Sequence, residues 1–421
     1  MPADRVVATY LIESYLPPEQ AAGVLAGEQS TGTFTKVARE TPELASRFGA
    51  TVTDVEALPP SDEPPLPGSH RPAGAPPRPG RARVRVTFPL ENFGPSLPNL
   101  LAAVAGNLYE LRELAAVRLL DLDLPGAFAE RYPGPRFGVA GTRRLMGVPD
   151  APMIGTIVKP SIGLPLEELR QLVRELAEAG IDFIKDDELI ANPPYSPLRE
   201  RVRVVMEEID RAADRTGKKV MYAFNITDDI DRLAANHDLV RTAGGDCVMV
   251  CVNVVGLAGV AYLRERSALP VHGHRAMIGA LMRHPKLGID FVAFQKLARL
   301  AGVDHLHTNG FDNKFYESND EVLASINAVR KPLFGGYETL PVLSSAQWAG
   351  LAPLTYRLTR TTDLLVLAGG GIHGHPDGSA AGVESMRQAW TAAVNGIPPE
   401  QQAERSEALR RALATFGAVR R

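Results

Sequence analysis

Downstream of Met153 the chain repeats one rhythm, a short apolar run followed by a stretch with helical spacing. The apolar runs are MIGTIVKP, GIDFIKDD, VMYAFNI, CVMVCVN, PVHGHRA, VDHLHTNG, PVLSSA and LLVLAGGG, each of a length and continuity that suits a strand buried on both faces. Between them, PLEELRQLVRELAEAG, LRERVRVVMEEIDRAADR, DFVAFQKLARLAG and DEVLASINAVR space apolar residues three and four apart, as amphipathic helices do. Eight strand-then-helix units predict an α/β fold, a parallel (β/α)8 TIM barrel over residues 136–421. An open doubly wound sheet is the alternative; eight near-regular units favour closure.

Residues 1–135 follow a different pattern and predict a small α+β domain. RVVATYLIES and ARVRVTFPLE alternate apolar with polar residues, which suits half-buried strands. NLLAAVAGNLYELRELAAVRLLDLDLP has helical spacing. From Leu58 to Gly80 the chain is crowded with proline, glycine and small polar residues, too little apolar surface to fold alone, and is expected to be an exposed, mobile loop.

Composition narrows the function classes. Of 421 residues, 45% are apolar and 23% charged, ordinary for a globular protein, and the formal net charge of -3 gives no reason to expect nucleic acid or an anionic membrane surface. No apolar run approaches the roughly 20 residues that span a bilayer. Cys247 and Cys251 sit in an apolar run and read as packing residues in a reducing, cytoplasmic setting.

In a (β/α)8 barrel, active sites collect at the C-terminal ends of the strands. The unusual polar residues fall there: Lys159, Lys185–Glu188, Asn225, Asn253, His272–Arg275, His307–Asn309, Ser344–Ser345 and Gly369–Gly371. The densest group is GIDFIKDDELIANPP, residues 180–194, where one lysine and three carboxylates follow a buried run without a gap. Surface ion pairing would contribute little, roughly 0–1 kcal/mol per pair. A metal site is the alternative. Strand alternation puts Lys185 and Asp187 on one face, and a bend at the strand end brings Glu188 to them. Such oxygen ligands suit Mg²⁺. A protonated lysine repels a cation, but a lysine near positive charge gives up its proton more readily, and the neutral amine can add CO₂ to become a carbamate.

GIDFIKDDE resembles the signature of the ribulose-1,5-bisphosphate carboxylase/oxygenase (RuBisCO) large-chain superfamily. The resemblance implies a carbamylated Lys185 that binds one Mg²⁺ together with Asp187 and Glu188, leaving Asp186 as a solvated or structural carboxylate. It runs along nearly the whole chain. GTIVKPSIGL places Lys159 at the family's proton-moving lysine; HGHRAM supplies His274 and Arg275 for substrate and phosphate; HLHTNGFDNKF supplies His307 at a strand end and Lys314 on a closing loop. PVLSSA puts Ser344 at a substrate-binding serine, and LAGGGIHGHPDG puts Gly369 and Gly370 at a phosphate cradle. GEQSTGTF and AGNLYEL match segments that complete a neighbouring subunit's site through Glu28, Thr33 and Asn107, which implies a homodimer with interface sites. Taken singly, a glycine run, a strand-end histidine or an STGT turn is ordinary structure; their joint order carries the resemblance.

The departures bear on function. Ser161 stands where a carboxylase has a second lysine, Ile278 where it has a histidine, and Ser345 and Ala346 where it has two glycines. These place the chain among RuBisCO-like proteins (form IV type), which keep metal-assisted enolisation and do not fix CO₂. The loop NGFDNKFYE resembles the branch that decarboxylates or transcarboxylates 3-oxo-isoapionate 4-phosphate. The alternatives are a 5-methylthioribulose-1-phosphate isomerase or enolase of methionine salvage, a non-catalytic protein of sulfur metabolism, and a Schiff-base aldolase using Lys159 or Lys185.

Overall fold

The computed structural model describes residues 4–33, 35 and 37–419. The chain packs as two units, Met1–Pro133 with Met277–Leu300, and Gly134–Ala276 with Ala301–Arg421.

The first unit is a five-stranded sheet in the order Leu287–Ile289, Ala116–Asp123, Arg5–Ser14, Gly80–Pro89, Thr51–Leu58. All pairs are antiparallel except the outermost, Leu287–Ile289 on Ala116–Asp123. Val6, Ala8, Tyr10 and Ile12 alternate into the core with Val84, Val86 and Phe88. Lys286 Nζ donates to the buried Glu13 carboxylate at 2.5 Å and to Glu63 O at 2.8 Å. The proline-rich segment 58–80 is mostly exposed, as expected, but it is not a free loop: Leu66 N donates to Ala115 O at 2.9 Å and His70 N to Arg112 O at 2.7 Å.

The second unit is the predicted barrel. Its strands are Met153–Ile157, Phe183–Lys185, Met221–Asn225, Cys247–Cys251, Val271–His274, His305–His307, Leu340–Leu343 and Leu365–Leu367. Every neighbouring pair is parallel, and the last strand closes onto the first, Leu365 opposite Met153. Met153, Phe183, Met221, Cys247, Leu340 and Leu365 share the inner core. Gly155 permits the closure, because a Cβ there would lie 2.6 Å from Leu367 Cδ2 and 2.8 Å from Phe183 O. Outside, helix Leu166–Glu178 buries Leu169, Val173 and Leu176 and carries Glu167 and Glu168 in its first turn, where carboxylates suit the helix dipole. Met277–Leu300, read from sequence as part of the barrel, instead packs with the first unit, since strand Leu287–Ile289 pairs with Ala116–Asp123. Cys247 and Cys251 are buried and unbridged. No helix of the described residues is long and apolar enough to cross a membrane.

Candidate active site

The second barrel strand ends at Lys185, and the three carboxylates after it diverge sharply in role. Asp186 points away from the barrel mouth and is buried rather than solvated. It accepts from Tyr222 Oη at 2.7 Å, from Asn225 N at 2.8 Å and from Arg201 Nε at 3.1 Å. Arg201 in turn donates to Ser196 O at 2.6 Å and to Ala191 O, which ties down the loop after the strand. Asn225, at the end of the third strand, donates to Asp187 O at 3.3 Å and Glu188 O at 3.2 Å. A buried polar frame therefore fixes the backbone turn that presents Asp187 and Glu188.

Above this frame the side chains converge. Lys159 Nζ donates to Asp187 Oδ2 at 2.6 Å and to Ser161 Oγ at 2.7 Å. Lys185 Nζ, 1% exposed, donates to Asp186 O at 2.8 Å and lies 3.4 Å from Glu188 Oε2. His274 Nδ1 accepts from Ala276 N at 3.2 Å, so its Nε2 faces Glu188 Oε2, 3.5 Å away. Burial works to raise the Glu188 carboxyl, but the charges of Lys185 and Lys159 and a backbone hydrogen bond, joined in acid by a protonated His274, outweigh it and hold it at about 2. Burial, with Lys185 beside it, lowers His274 to about 3. At neutral pH His274 is therefore uncharged, and the lysines are what keep Glu188 anionic. Two carboxylates and two lysines form two ion pairs here, Lys159 with Asp187 and Lys185 with Glu188, so the cluster is close to neutral with both lysines protonated.

Of the other expected residues, Gly369 borders the cluster: a Cβ on it would sit 3.6 Å from Lys159 Cε. Gly369 and Gly370 open the short helix Gly370–His373, whose first N–H groups have no intrahelical acceptor. Ser344 is half-buried at the end of the seventh strand. His307 is 2% exposed and has both ring nitrogens engaged, Nε2 with His272 Nε2 at 2.8 Å and Nδ1 with Ser344 Oγ at 3.0 Å. Both ring nitrogens of His307 are thus engaged, and Ser344 is the more open end of that pair. Arg275 is 6% exposed and pairs through two guanidinium nitrogens with Glu317, which also accepts from Asn309 Nδ2. Lys314 is exposed, with Nζ 5.3 Å from the Phe315 ring centre, and is outside the cluster. Glu28, Thr33 and Asn107 lie exposed on the first unit.

Sequence reasoning missed Arg201, Tyr222 and Glu317. Only Arg201 left a signal: with Leu198, Val202, Val205 and Ile209 it falls on the buried stripe of helix Leu198–Thr216, a position where an unpaired arginine would be costly.

Known proteins carry the same architecture. Residues 2–128 match the ribulose bisphosphate carboxylase large chain N-terminal domain and residues 138–416 the catalytic domain of that family. A 3-oxo-isoapionate-4-phosphate transcarboxylase/hydrolase of Xanthobacter autotrophicus is 52% identical over 98% of this chain and 99% of its own. A 3-oxo-isoapionate-4-phosphate decarboxylase of Rhizobium etli is 45% identical over 98% of each. Among solved structures, a rubisco-like protein from Burkholderia fungorum superposes with a TM-score of 0.90 at 47% identity, covering 98% of this chain and 99% of that one. The octameric RuBisCO of Pyrococcus horikoshii gives 0.88 at 34% identity, covering 99% and 95%. The chain belongs to the ribulose bisphosphate carboxylase large-chain family.

Proposed function

We propose that this protein is a RuBisCO-like carboxy-lyase that removes CO₂ from 3-oxo-isoapionate 4-phosphate. The observation that carries the reading is the buried Lys185 beside Glu188 at the end of the second barrel strand, with Lys159 paired to the adjacent Asp187. The 45–52% identity to relatives acting on that substrate favours it over the methylthio-sugar alternative.

The donor set fits Mg²⁺ on one condition. Among the described residues no three His, Cys, Asp or Glu side chains come together to hold a metal. Asp187 and Glu188 supply two carboxylates, and a CO₂ adduct on the Lys185 amine turns the neighbouring cation into a third oxygen donor. Lys185, Asp187 and Glu188 would then hold Mg²⁺, which supplies a Lewis acid for the 3-oxo group.

The chain's own residues perform the remaining work. The C1–C2 bond of the substrate breaks, its electron pair moves onto the 3-oxo oxygen, and CO₂ leaves. Lys159, steered by Ser161 and Asp187, returns a proton to C2. Gly369 and Gly370 offer N–H groups to the phosphate, and Lys314 adds positive charge if its loop closes. Ser161 leaves the site without the second lysine of a carboxylase, consistent with carbon being released rather than fixed. A homodimer is proposed on the same ground as the exposed Glu28, Thr33 and Asn107, which would complete a partner's site.

The test is ³¹P NMR of the protein with Mg²⁺, bicarbonate and 3-oxo-isoapionate 4-phosphate. A single new tetrulose phosphate resonance with release of CO₂ is expected; a phosphorylated three-carbon acid would mark transcarboxylation with hydrolysis instead. An unchanged substrate signal would sink the reading. Lys185→Ala should abolish both turnover and the carbamate resonance seen by ¹³C NMR after exposure to ¹³CO₂.

A further inference from the structure

Inside the barrel, below the cluster, five side chains form one hydrogen-bonded column. Thr142 Oγ1 lies 2.9 Å from His305 Nε2, His305 Nδ1 lies 3.3 Å from His272 Nδ1, and His272 Nε2 lies 2.8 Å from His307 Nε2. His307 Nδ1 then meets Ser344 Oγ at 3.0 Å. Gly273 makes the approach possible, since a Cβ there would lie 2.9 Å from Val303 Cγ1 and 3.1 Å from His305 O. Thr142 and the three histidines are buried, and burial is the leading cause that lowers all three imidazoles. Each ring is therefore neutral, with one N–H and one bare nitrogen.

A column of neutral rings has only two proton arrangements, and one constraint at an end selects between them. Thr142 has a single hydroxyl proton and donates it to Gly138 O at 2.5 Å. Its oxygen must then accept from His305, so His305 carries its proton on Nε2 and leaves Nδ1 bare. His272 consequently donates from Nδ1 and leaves Nε2 bare. His307 donates from Nε2, leaves Nδ1 bare, and receives the Ser344 proton there.

We propose that Thr142, through His305 and His272, sets the hydrogen-bond polarity of this column, so that Ser344 donates inward and presents only lone pairs to the substrate. Ser344 then selects a substrate group that donates, a hydroxyl, over a phosphate or keto oxygen. Thr142, His305 and His272 are positioning residues, since none of them reaches the open site. The tautomer assignment stands on the hydrogen-bond geometry together with burial that keeps the rings neutral; the selection of a hydroxyl rests on the proposed function.

The test is ¹⁵N NMR of the histidine-labelled protein, which reports the protonated nitrogen of each ring, on the wild type and on Thr142→Val and Thr142→Ser. The wild type and Thr142→Ser should show N–H at Nε2 of His305, Nδ1 of His272 and Nε2 of His307; any other wild-type pattern overturns the proposal and needs no variant. Thr142→Val removes the accepting oxygen and should reverse all three, turning Ser344 into an acceptor from His307 that donates outward. Unchanged tautomers in Thr142→Val would show that Thr142 does not set the polarity. With 3-oxo-isoapionate 4-phosphate, Thr142→Val should raise KM about tenfold, the worth of about 1.4 kcal/mol, with kcat within threefold and Thr142→Ser restoring KM. A fall in kcat at constant KM would refute hydroxyl selection. Absence of turnover in the wild type would instead overturn the proposed function and leave the tautomer result standing.

Discussion

Acidification should destabilise the barrel in a pH window set by its buried histidines. His272, His305 and His307 are buried and their imidazoles are held neutral, His305 down at about 3 and the other two well below the ordinary value. In the unfolded chain each returns to about 6.5. A base whose folded pKa is depressed stabilises the fold above its unfolded pKa, and the contribution is lost as pH falls below it, because the unfolded state binds the extra proton. At pH 5.5, one unit below 6.5, that loss is about 1.4 kcal/mol per ring and about 4 kcal/mol for three. Against a typical total of 5–15 kcal/mol this is a large fraction. Glu188 works in the opposite range: its depressed carboxyl is lost only below the ordinary 4.5, so it leaves the window from 6.5 to 5 to the histidines. Burial shifts His237, His274 and His373 the same way and can only steepen the fall. Urea unfolding followed by barrel-core hydrogen exchange at pH 7.5, 6.5 and 5.5, at fixed ionic strength, measures it. Equal stability at pH 7.5 and 5.5, or a ring of the column titrating near 6.5 in the folded protein, would refute the reasoning.

Asp186→Ala leaves Arg201 charged, buried and short of its carboxylate, and should cost about 3–5 kcal/mol; an additive Arg201→Met, Asp186→Ala double variant, read by thermal melting, would argue against that pairing. Ser161→Ala removes one of two partners that aim Lys159 and should lower kcat about three- to tenfold, one hydrogen bond's worth, with KM unchanged. Glu317→Gln breaks the ion pair with Arg275 and should make the 310–317 loop a preferred site of limited proteolysis, which an unchanged cleavage pattern would contradict.

The sequence exposed the barrel because each of its strands is buried on both faces, so the apolar runs stand out without any tertiary knowledge. It did not expose Met277–Leu300. The helix Phe291–Ala301 has the same spacing as the others, and what assigns the segment to the first unit is a three-residue strand, Leu287–Ile289, far too short to read by periodicity. The site divides in the same way. Lys185, Asp187 and Glu188 are contiguous, and alternation along one strand suffices to gather them. Asp186 sits in the same run, yet its role depends on Arg201, Tyr222 and Asn225 from other elements. The histidine column is an intermediate case. Period two puts His305 with His307 and His272 with His274, but only the closed register, His305 opposite His272, decides which rings meet.

The residues that depart from the carboxylase pattern are tied into the structure at new points. Ser345 and Ala346 keep left-handed backbone, φ 71 and 54, where the family has glycines. Such residues each cost of order 1 kcal/mol and persist only where neighbours fix them. The neighbours are visible: Ser345 Oγ accepts from Lys314 N at 3.2 Å, and Gln347 Nε2 donates to Ser345 O at 2.9 Å and to Phe311 O at 3.1 Å. The side chain that a glycine would lack is the one that fastens the lysine loop to the end of the seventh strand. Ser161 likewise takes up the hydrogen bond of Lys159 in place of supplying a second cation. Both changes replace residues of the carboxylase pattern with a serine hydrogen bond, one to the side chain of Lys159 and one to the backbone of Lys314.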